Sequence, residues 1–377
     1  MDPGFFDRPI ARRGTASFKW DMYEAGVLPL WVADMDFASP PPVAEALAAA
    51  VEHGVFGYAL APDSLGEAIV AHLERRYRWR VEPEWIAWLP GIVPGLNLAC
   101  EAFAGPGEGV MTVTPVYPPF LEAPANRRRR LITVPAAVRE GRWELPLDGM
   151  EAAVTPDTRV LLFCHPHNPL GRVWRRDEVV AVLDFCRRHD LVLVSDEIHC
   201  DLILDDLAHV PSALAGPDDA DRIVTFMSPS KTFNLPGLNF AFAIAADKKV
   251  RRRLLRPAKG FLPFPGYFAI GAAEAAYRHG GEWHDALLAY LRGNRDVLEA
   301  TVAELPRVTM THVEATYLAW LDVRELGLED PAAACRSAGV ALSAGAAFGD
   351  PAYLRLNFGC PRATLDEALR RLAPVLA

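Results

Sequence analysis

The sequence lacks the features that mark membrane, disulfide-rich and nucleic-acid-binding proteins. No apolar stretch reaches the ~20 residues that a transmembrane helix needs. The six cysteines form no CxxC pair and are widely spaced, which is typical of reduced thiols. Because no signal peptide is recognisable at the N-terminus, we expect a cytoplasmic protein. The net charge of −9 leaves no global basic field to hold a nucleic acid, and we find no internal repeat.

One local run of positive charge, Arg127 to Arg130, opposes the overall acidity. It precedes a short predicted strand at residues 131–134, and we interpret it as a solvated sheet edge rather than a phosphate-binding patch. The remaining composition is that of a globular protein, with 51% hydrophobic and 23% charged residues. A chain of 377 residues is long enough for two packed domains.

From residue 85 onward, short apolar segments alternate with segments of helical periodicity. The pattern predicts strands at residues 85–89, 110–114, 159–163, 191–195, 223–227 and 240–246. It predicts helices at residues 40–53, 65–76, 96–103 and 177–189. Near-continuous apolar strands that alternate with helices indicate an α/β fold, with a mostly parallel sheet covered on both faces.

The C-terminal third has a different pattern. A long helix is predicted at residues 284–305, followed by strands near 307–312, 317–322 and 353–358 and a last helix at 364–376. These elements predict a smaller α+β unit. Proline and glycine cluster at residues 257–266, so we expect the boundary near residues 260–285. The predicted large domain spans residues 45–265, and the small domain combines residues 1–44 with 266–377.

The stretch SPSKTFN, residues 228–234, places Lys231 just after the buried strand at 223–227. A desolvated ammonium group is unfavourable without a partner, so its amine is a candidate nucleophile that forms a Schiff base with a carbonyl. The alternative is a surface lysine in a polar loop.

Polar or aromatic groups follow three further predicted strands, namely Tyr117, Asn168 and Asp196. In open α/β sheets, ligands bind outside the carboxyl ends of the strands, so these groups and Lys231 are expected to converge. Taken singly, Asp196 is equally a capping residue, Asn168 a turn former before proline, and Tyr117 a packing aromatic. Their joint placement favours a site.

A fifth contribution comes from Gly91, Ile92 and Val93, which precede a predicted helix. The backbone N–H groups and dipole at a helix start offer a site for an anion. The alternative is a tight turn without a ligand.

This constellation resembles that of the pyridoxal-phosphate enzymes with the aspartate aminotransferase fold. The residues stand in the motifs SDEIH (Asp196), SPSKTFN (Lys231), PHNPLG (Asn168) and YLRLNF (Arg355). More narrowly, the chain resembles the cystathionine β-lyase and cysteine-conjugate C–S lyase branch of the class I/II aminotransferase (fold type I) superfamily. That likeness rests on RRGTASFKWD, LPLWVADMDF, PGIVPGL, PVYPPF, SDEIHCDL, EATYLAWLDVRELGL and LRLNFGCPR, which cover almost the whole chain.

The resemblance implies pyridoxal 5'-phosphate as the cofactor and gives each residue a role. Lys231 would hold the cofactor and act as the base, while Asp196 would face the pyridine nitrogen. Tyr117 would stack on the ring and Asn168 would donate to its phenolic oxygen. The phosphate would lie against Gly91, Ile92, Ser228 and Ser230, with Val93, Ile198 and His199 completing the cofactor site.

On the substrate side, the resemblance implies that Arg355 binds the α-carboxylate, with Asn168 and Ala33 beside it. Tyr58 would reach the cofactor and substrate from a second subunit, which implies a homodimer. The expected reaction is β-elimination from cystathionine or a cysteine S-conjugate, giving a thiol, pyruvate and ammonia. The alternative is an aminotransferase, which uses the same residues.

Several positions depart from the family pattern. Asn239 stands where many aminotransferases have a phosphate-binding arginine, Ala59 stands where the branch has threonine, and Ser228 stands where it has alanine. These departures leave the side chain of the substrate undefined.

Two other classes of function fit the sequence less well. A metal-dependent hydrolase would use Cys164, His165, His167 and His199, but their spacing matches no zinc pattern. A binding protein on an inactive enzyme scaffold would not need Lys231, Asp196 and Arg355 together.

Overall fold

The computed structural model describes residue 2 and residues 4–377. Within them, the strands are β1 (Leu28–Pro29), β2 (Ile86–Leu89), β3 (Gly109–Thr114), β4 (Arg130–Pro135), β5 (Ala137–Arg139), β6 (Arg142–Glu144), β7 (Thr158–Cys164), β8 (Val192–Asp196), β9 (Ile223–Met227), β10 (Ala241–Ile244), β11 (Thr309–Met310), β12 (Leu318–Asp322), β13 (Val340–Ala341), β14 (Ser343–Ala344) and β15 (Tyr353–Asn357). The α-helices are α1 (Phe18–Asp21), α2 (Pro41–His53), α3 (Asp63–Tyr77), α4 (Ile92–Phe103), α5 (Pro118–Asn126), α6 (Leu147–Ala153), α7 (Arg176–Arg188), α8 (Ser212–Ala215), α9 (Pro229–Thr232), α10 (Lys248–Leu255), α11 (Tyr267–His279), α12 (Gly281–Ala303), α13 (Pro331–Ser337) and α14 (Arg362–Leu376).

Seven strands form the main sheet, in the order β2-β10-β9-β8-β7-β3-β4. β10 is antiparallel to its two neighbours, and the other adjacent pairs are parallel. Two separate hydrophobic cores cover the sheet, one containing Leu96 and Phe226 and the other Phe163 and Phe185. The predicted α/β class with a mainly parallel sheet is therefore confirmed.

The register of the parallel strands brings the expected polar residues to one edge. Cys164 pairs with Asp196, and Asp196 pairs with Phe226, at the carboxyl ends of β7, β8 and β9. The segments that follow these ends carry Asn168, His199 and Lys231. Because β2 is antiparallel to β10, and β10 to β9, the carboxyl end of β2 lies at the same edge.

A second sheet, in the order β11-β12-β15-β14, packs with α12 and α14 in the C-terminal part. The N-terminal segment joins this part, because β1 pairs in parallel with β13. On the basis of this pairing, we propose a large domain of residues 45–265 and a small domain that combines residues 1–44 with residues 266–377. One helix missed by the sequence prediction, α11, begins at the proposed boundary and packs against α2 and α3.

The interpretation of Arg127 to Arg130 as a solvated edge is wrong for Arg129. Its side chain is buried, its Nε donates to the carbonyl of Ala104 at 2.9 Å, and it pairs with Glu101 at 3.3 Å. Arg129 thus ties the end of α4 to the start of β4, whereas Arg128 is exposed as expected. Within the described residues, no helix is both long and apolar enough to cross a membrane.

Candidate active site

Lys231 lies on the single-turn helix α9, directly after the buried strand β9. The hydroxyl of Ser228 caps this turn by accepting from the amide of Ser230 at 3.1 Å, and it donates to the carbonyl of Phe240 at 2.6 Å. The Nζ of Lys231 donates to the carbonyl of Ala33 at 2.5 Å. Burial lowers the pKa of the Lys231 amine to about 8, so the neutral, nucleophilic form is accessible near physiological pH.

The carbonyl of Ala33 is held in place by contacts from distant parts of the chain. The hydroxyl of Tyr317, which is fully buried, donates to it at 3.0 Å. Asn234 fixes the neighbouring backbone, since it accepts from the amide of Met35 and donates to the carbonyl of Met35, both at 2.9 Å. The turn that carries Lys231 is therefore tied to the N-terminal segment both by the amine and by Asn234.

Behind Ala33 lies a cluster of buried and half-buried charges. Lys19 is fully buried and pairs with Asp36 at 2.8 Å, while Arg12 pairs with Asp34 at 2.9 Å and with Asp36 at 2.6 Å. Removing one member of such a cluster is costly because it leaves a desolvated charge. The cluster accounts for Arg12 and Lys19 in the stretch RRGTASFKWD and for both aspartates of LPLWVADMDF.

Asp196 is buried at the end of β8, where one carboxylate oxygen accepts from the amide of Ile198 at 3.1 Å. Burial raises the pKa of Asp196 to about 7. Within the described residues, Asp196 forms no salt bridge, and the charge of Lys231 only partly offsets the effect of burial. The carboxylate is thus a desolvated anion that a cationic ligand would stabilise.

Arg355 is the opposite case, a buried cation with no carboxylate beside it in the described structure. Its Nη1 donates to the Asn168 side-chain oxygen at 3.1 Å, and its Nη2 donates to the Trp31 carbonyl at 2.8 Å. Its Nε has no partner, and its guanidinium lies 4.6 Å from the ring centre of Phe348. Burial lowers the pKa of Arg355 to about 10. An anionic ligand would relieve this cost, and a carboxylate matches the guanidinium fork.

Tyr117 is half-buried and stands at the start of α5. Its amide donates to the backbone carbonyl of Asn168 at 3.0 Å, which fixes the two residues relative to each other. Burial raises the pKa of the Tyr117 hydroxyl, so this group is neutral at physiological pH.

His199 is buried, and its Nδ1 has no hydrogen-bond partner among the described residues. Its ring lies 6.2 Å from that of Tyr317. Burial and the positive charges of Lys231 and Arg355 lower the pKa of His199 to about 3, so the imidazole is neutral. An unsatisfied nitrogen on a buried ring is the kind of group that a polar ligand completes.

Gly91 caps α4, so Gly91, Ile92 and Val93 form the first turn, where backbone amides have no acceptor within the helix. Leu89 pairs with Ala241, next to the carbonyl of Phe240 that accepts from Ser228. The start of α4 and the Ser228 turn therefore follow the two strands, β2 and β9, that flank β10. This arrangement suits a phosphate group.

A cleft of about 950 Å³ runs between the two parts of the molecule and is lined by Lys231, Tyr117, Ala33 and Arg355. Asn168 contacts this group through Arg355, as described above. Tyr58 is not brought to the cleft. It is fully exposed and lies in a separate groove of about 480 Å³ with Tyr267 and Phe268.

Sequence reasoning gave no role to Tyr317, Trp31, Ser343 or Phe348. Tyr317 and Trp31 stand inside the stretches that carry the family resemblance, so their position was signalled but their contacts were not. Ser343 donates to the carbonyl of Trp31 at 2.8 Å, close to the Nη2 of Arg355. No local pattern in the sequence marks that residue.

Three of the four candidate metal ligands bond to backbone carbonyls instead. The Sγ of Cys164 donates to the carbonyl of Pro166, and His167 bonds through Nε2 to the carbonyl of Pro115 at 2.9 Å. His165 bonds through Nε2 to the carbonyl of Val210 at 3.1 Å. No group of three or more metal-ligating side chains with suitable geometry occurs in the described part of the chain.

The comparison with known families agrees with this geometry. Residues 25–372 match the family described as aminotransferase class I and II. The chain belongs to this family. The predicted superfamily and fold type are therefore confirmed.

Three relatives illustrate the likeness. The cystathionine β-lyase PatB of Bacillus subtilis is 37% identical, over 99% of this chain and 100% of its own. The crystal structure of OvoB has a TM-score of 0.96 and 42% identity, with 99% of each chain covered. Cystalysin from Treponema denticola, solved with pyridoxal 5'-phosphate, has a TM-score of 0.93 and 31% identity, with 98% of each chain covered. The predicted lyase branch is confirmed by this full-length similarity.

Proposed function

We propose that the protein is a pyridoxal-phosphate-dependent C–S β-lyase that acts on cystathionine or cysteine S-conjugates. The observation that carries this proposal is one cleft that joins a buried, uncompensated arginine, Arg355, to a lysine with a lowered pKa, Lys231. An α-amino acid substrate brings the carboxylate that such an arginine binds. The full-length similarity to PatB, a cystathionine β-lyase, supports elimination at a C–S bond.

The residues present fit the cofactor. The Lys231 amine is available for a Schiff base, and the buried Asp196 carboxylate forms no salt bridge among the described residues. The first-turn amides of α4, with Ser228 and Ser230 nearby, suit the phosphate. When bound there, pyridoxal phosphate supplies an electron sink for the negative charge that develops at the substrate α-carbon.

Two side chains would bind the substrate and move its proton. Arg355 would bind the α-carboxylate with two parallel hydrogen bonds and orient the Cα–H bond. Nζ of Lys231 would accept the proton from Cα. The electron pair of that bond then forms a Cα=Cβ double bond, as the Cβ–S bond breaks and its pair leaves on sulfur as a thiolate. The released enamine hydrolyses in water to pyruvate and ammonia.

The test is product stoichiometry without an added keto acid. A β-lyase yields thiol, pyruvate and ammonia in equal amounts over many turnovers. An aminotransferase stops after a single turnover and resumes only when a keto acid is supplied. That second pattern would overturn the proposal.

We further propose a homodimer in which Tyr58 reaches the active site of the second copy. The surface near Tyr58 supports this, because the same stretch of chain exposes several large apolar side chains: Val55, Phe56 and Leu60. The test mixes two inactive variants, Tyr58→Ala and Lys231→Ala. A heterodimer then contains one site with an intact Lys231 and an intact Tyr58, so activity should return. Activity that stays absent after subunit exchange would contradict a shared site.

A further inference from the structure

The cleft that holds Arg355 contains a second arginine without a carboxylate partner, Arg336, on helix α13. Its side chain is exposed and makes no ion pair or hydrogen bond within the described residues. A third arginine of the cleft, Arg12, is already compensated by Asp34 and Asp36. Arg336 and Arg355 are therefore the two cleft arginines that have no carboxylate among the described side chains.

The elements that follow Arg336 along the chain lead to the strand that pairs with Arg355. Helix α13 leads through β13 to β14, where Ser343 pairs with Arg355 in the sheet register. Ser343 Oγ also lies 3.4 Å from the Arg355 Nη2. Because Arg355 is 4% exposed and Arg336 is exposed, they mark the inner and outer ends of the same cleft.

The cleft wall beside Arg355 is aromatic. Trp31 gives its carbonyl to Arg355, and its ring lies 5.0 Å from that of Phe18 and 5.7 Å from that of Tyr23. All three line the cleft, and Phe18 is 63% exposed at the surface. An apolar wall that starts at the inner arginine and reaches solvent suits the methylene and sulfur groups of a thioether.

We propose that Arg336 binds a distal carboxylate on the sulfur substituent, so that the cleft favours cysteine S-conjugates that carry two carboxylates. The inner carboxylate is the α-carboxylate at Arg355, and the outer one ends the substituent. This proposal rests on the proposed lyase function, and it adds a residue that determines specificity.

The kinetic test compares S-(2-carboxyethyl)cysteine with its amide, S-(2-carbamoylethyl)cysteine, which has nearly the same shape but no second charge. With the holoenzyme we expect kcat/KM to favour the acid by about tenfold, the worth of one charge-assisted hydrogen bond at a partly exposed site. Arg336→Gln should remove that preference through the KM of the acid and leave the kcat/KM of the amide unchanged. Arg176→Gln, an exposed arginine on α7 outside the cleft, should keep the preference.

A binding measurement separates this proposal from the lyase proposal. 2-Aminopimelate has a methylene in place of sulfur and therefore no thiolate to expel, and its ω-amide is the neutral control. Isothermal titration of the holoenzyme should show the same preference for the acid, lost in Arg336→Gln. Selective binding without thioether cleavage would leave Arg336 assigned and refute the lyase. Equal cleavage and equal binding of acid and amide, or a preference that survives in Arg336→Gln, would overturn the role of Arg336.

Discussion

The burial of Asp196 predicts a change in stability whose sign depends on the cofactor. Its pKa of about 7, against an ordinary 3.8, means that the folded protein without cofactor disfavours the carboxylate. That difference of about three pH units corresponds to about 4 kcal/mol of lost stability once the group is ionised. The loss begins as pH rises above 3.8 and is complete above pH 7, because the folded state retains its proton longer than the unfolded state does.

Asp196→Asn should therefore stabilise the cofactor-free protein, and more so at higher pH. The asparagine oxygen keeps the hydrogen bond from Ile198 but never ionises. About 2 kcal/mol of the gain should develop between roughly pH 5.5 and 8.5. Urea unfolding at both pH values measures it, with Asp190→Asn, an exposed carboxylate, as the control.

With pyridoxal phosphate bound, the proposed protonated ring nitrogen would face Asp196 and favour its carboxylate. The same substitution should then weaken cofactor binding, and its stabilising effect should disappear. The reasoning would be refuted if, without cofactor, the free energies of unfolding of Asp196→Asn and the unmodified protein differed by the same amount at every pH.

Three further predictions follow from the same site. Arg355→Lys should raise KM by roughly tenfold or more, because a point charge replaces the planar guanidinium that holds the α-carboxylate. Steady-state pyruvate release measures KM, and an unchanged value would show that the carboxylate binds elsewhere. Lys231→Ala should abolish nearly all turnover and the visible absorbance band that borohydride reduces. In the unmodified apo-protein, the rate of cofactor capture should rise with pH up to about 8 and then level off, as stopped-flow absorbance would show. Lys19→Met should lower the free energy of unfolding by about 3 kcal/mol, which is the low end for a broken buried ion pair because Asp36 still pairs with Arg12. An unchanged free energy in urea unfolding would show that the cluster does not stabilise the fold.

The central sheet was predictable because its strands are short, apolar and bounded by turn residues. Residues 223–227 were predicted as the strand that the structure contains. Helix α11 was missed because prolines and glycines precede it and alanine fills its body, so that neither a clear start nor an amphipathic stripe marked it. Its burial against α2 and α3, not its local sequence, accounts for its formation.

The candidate site was predictable as a set of residues but not as a set of contacts. The strand ends predicted that Asn168, Asp196 and Lys231 lie at one edge of the sheet. Arg355, however, meets Asn168 across a separation of 187 residues, and only the family motif indicated it. The partial burial of the arginine run was missed for the same reason, since the acceptors of Arg129 lie at the end of a different helix. The roles proposed for these residues remain predictions.

The stretch LPLWVADMDF unites the two cations of the site through its backbone alone. The segment bends at Val32 and Ala33, where the amide of Asp34 donates to the carbonyl of Val32 at 3.0 Å. The carbonyls of Trp31 and Ala33 accept from Arg355 at 2.8 Å and from Lys231 at 2.5 Å. The carbonyls of Val32 and Asp34 accept from the side chain of Asn357 at 2.5 and 2.7 Å.

These four contacts fix the spacing of the two cations. Asn357 follows Arg355 on β15 by two residues, so one strand holds both sides of the segment. A shift of the segment by one residue would break all four contacts. The charge cluster of Arg12, Lys19 and Asp36 resists such a shift from behind. The N-terminal segment therefore sets the distance between the amine that reacts and the arginine that binds the carboxylate, although it contributes no catalytic side chain of its own.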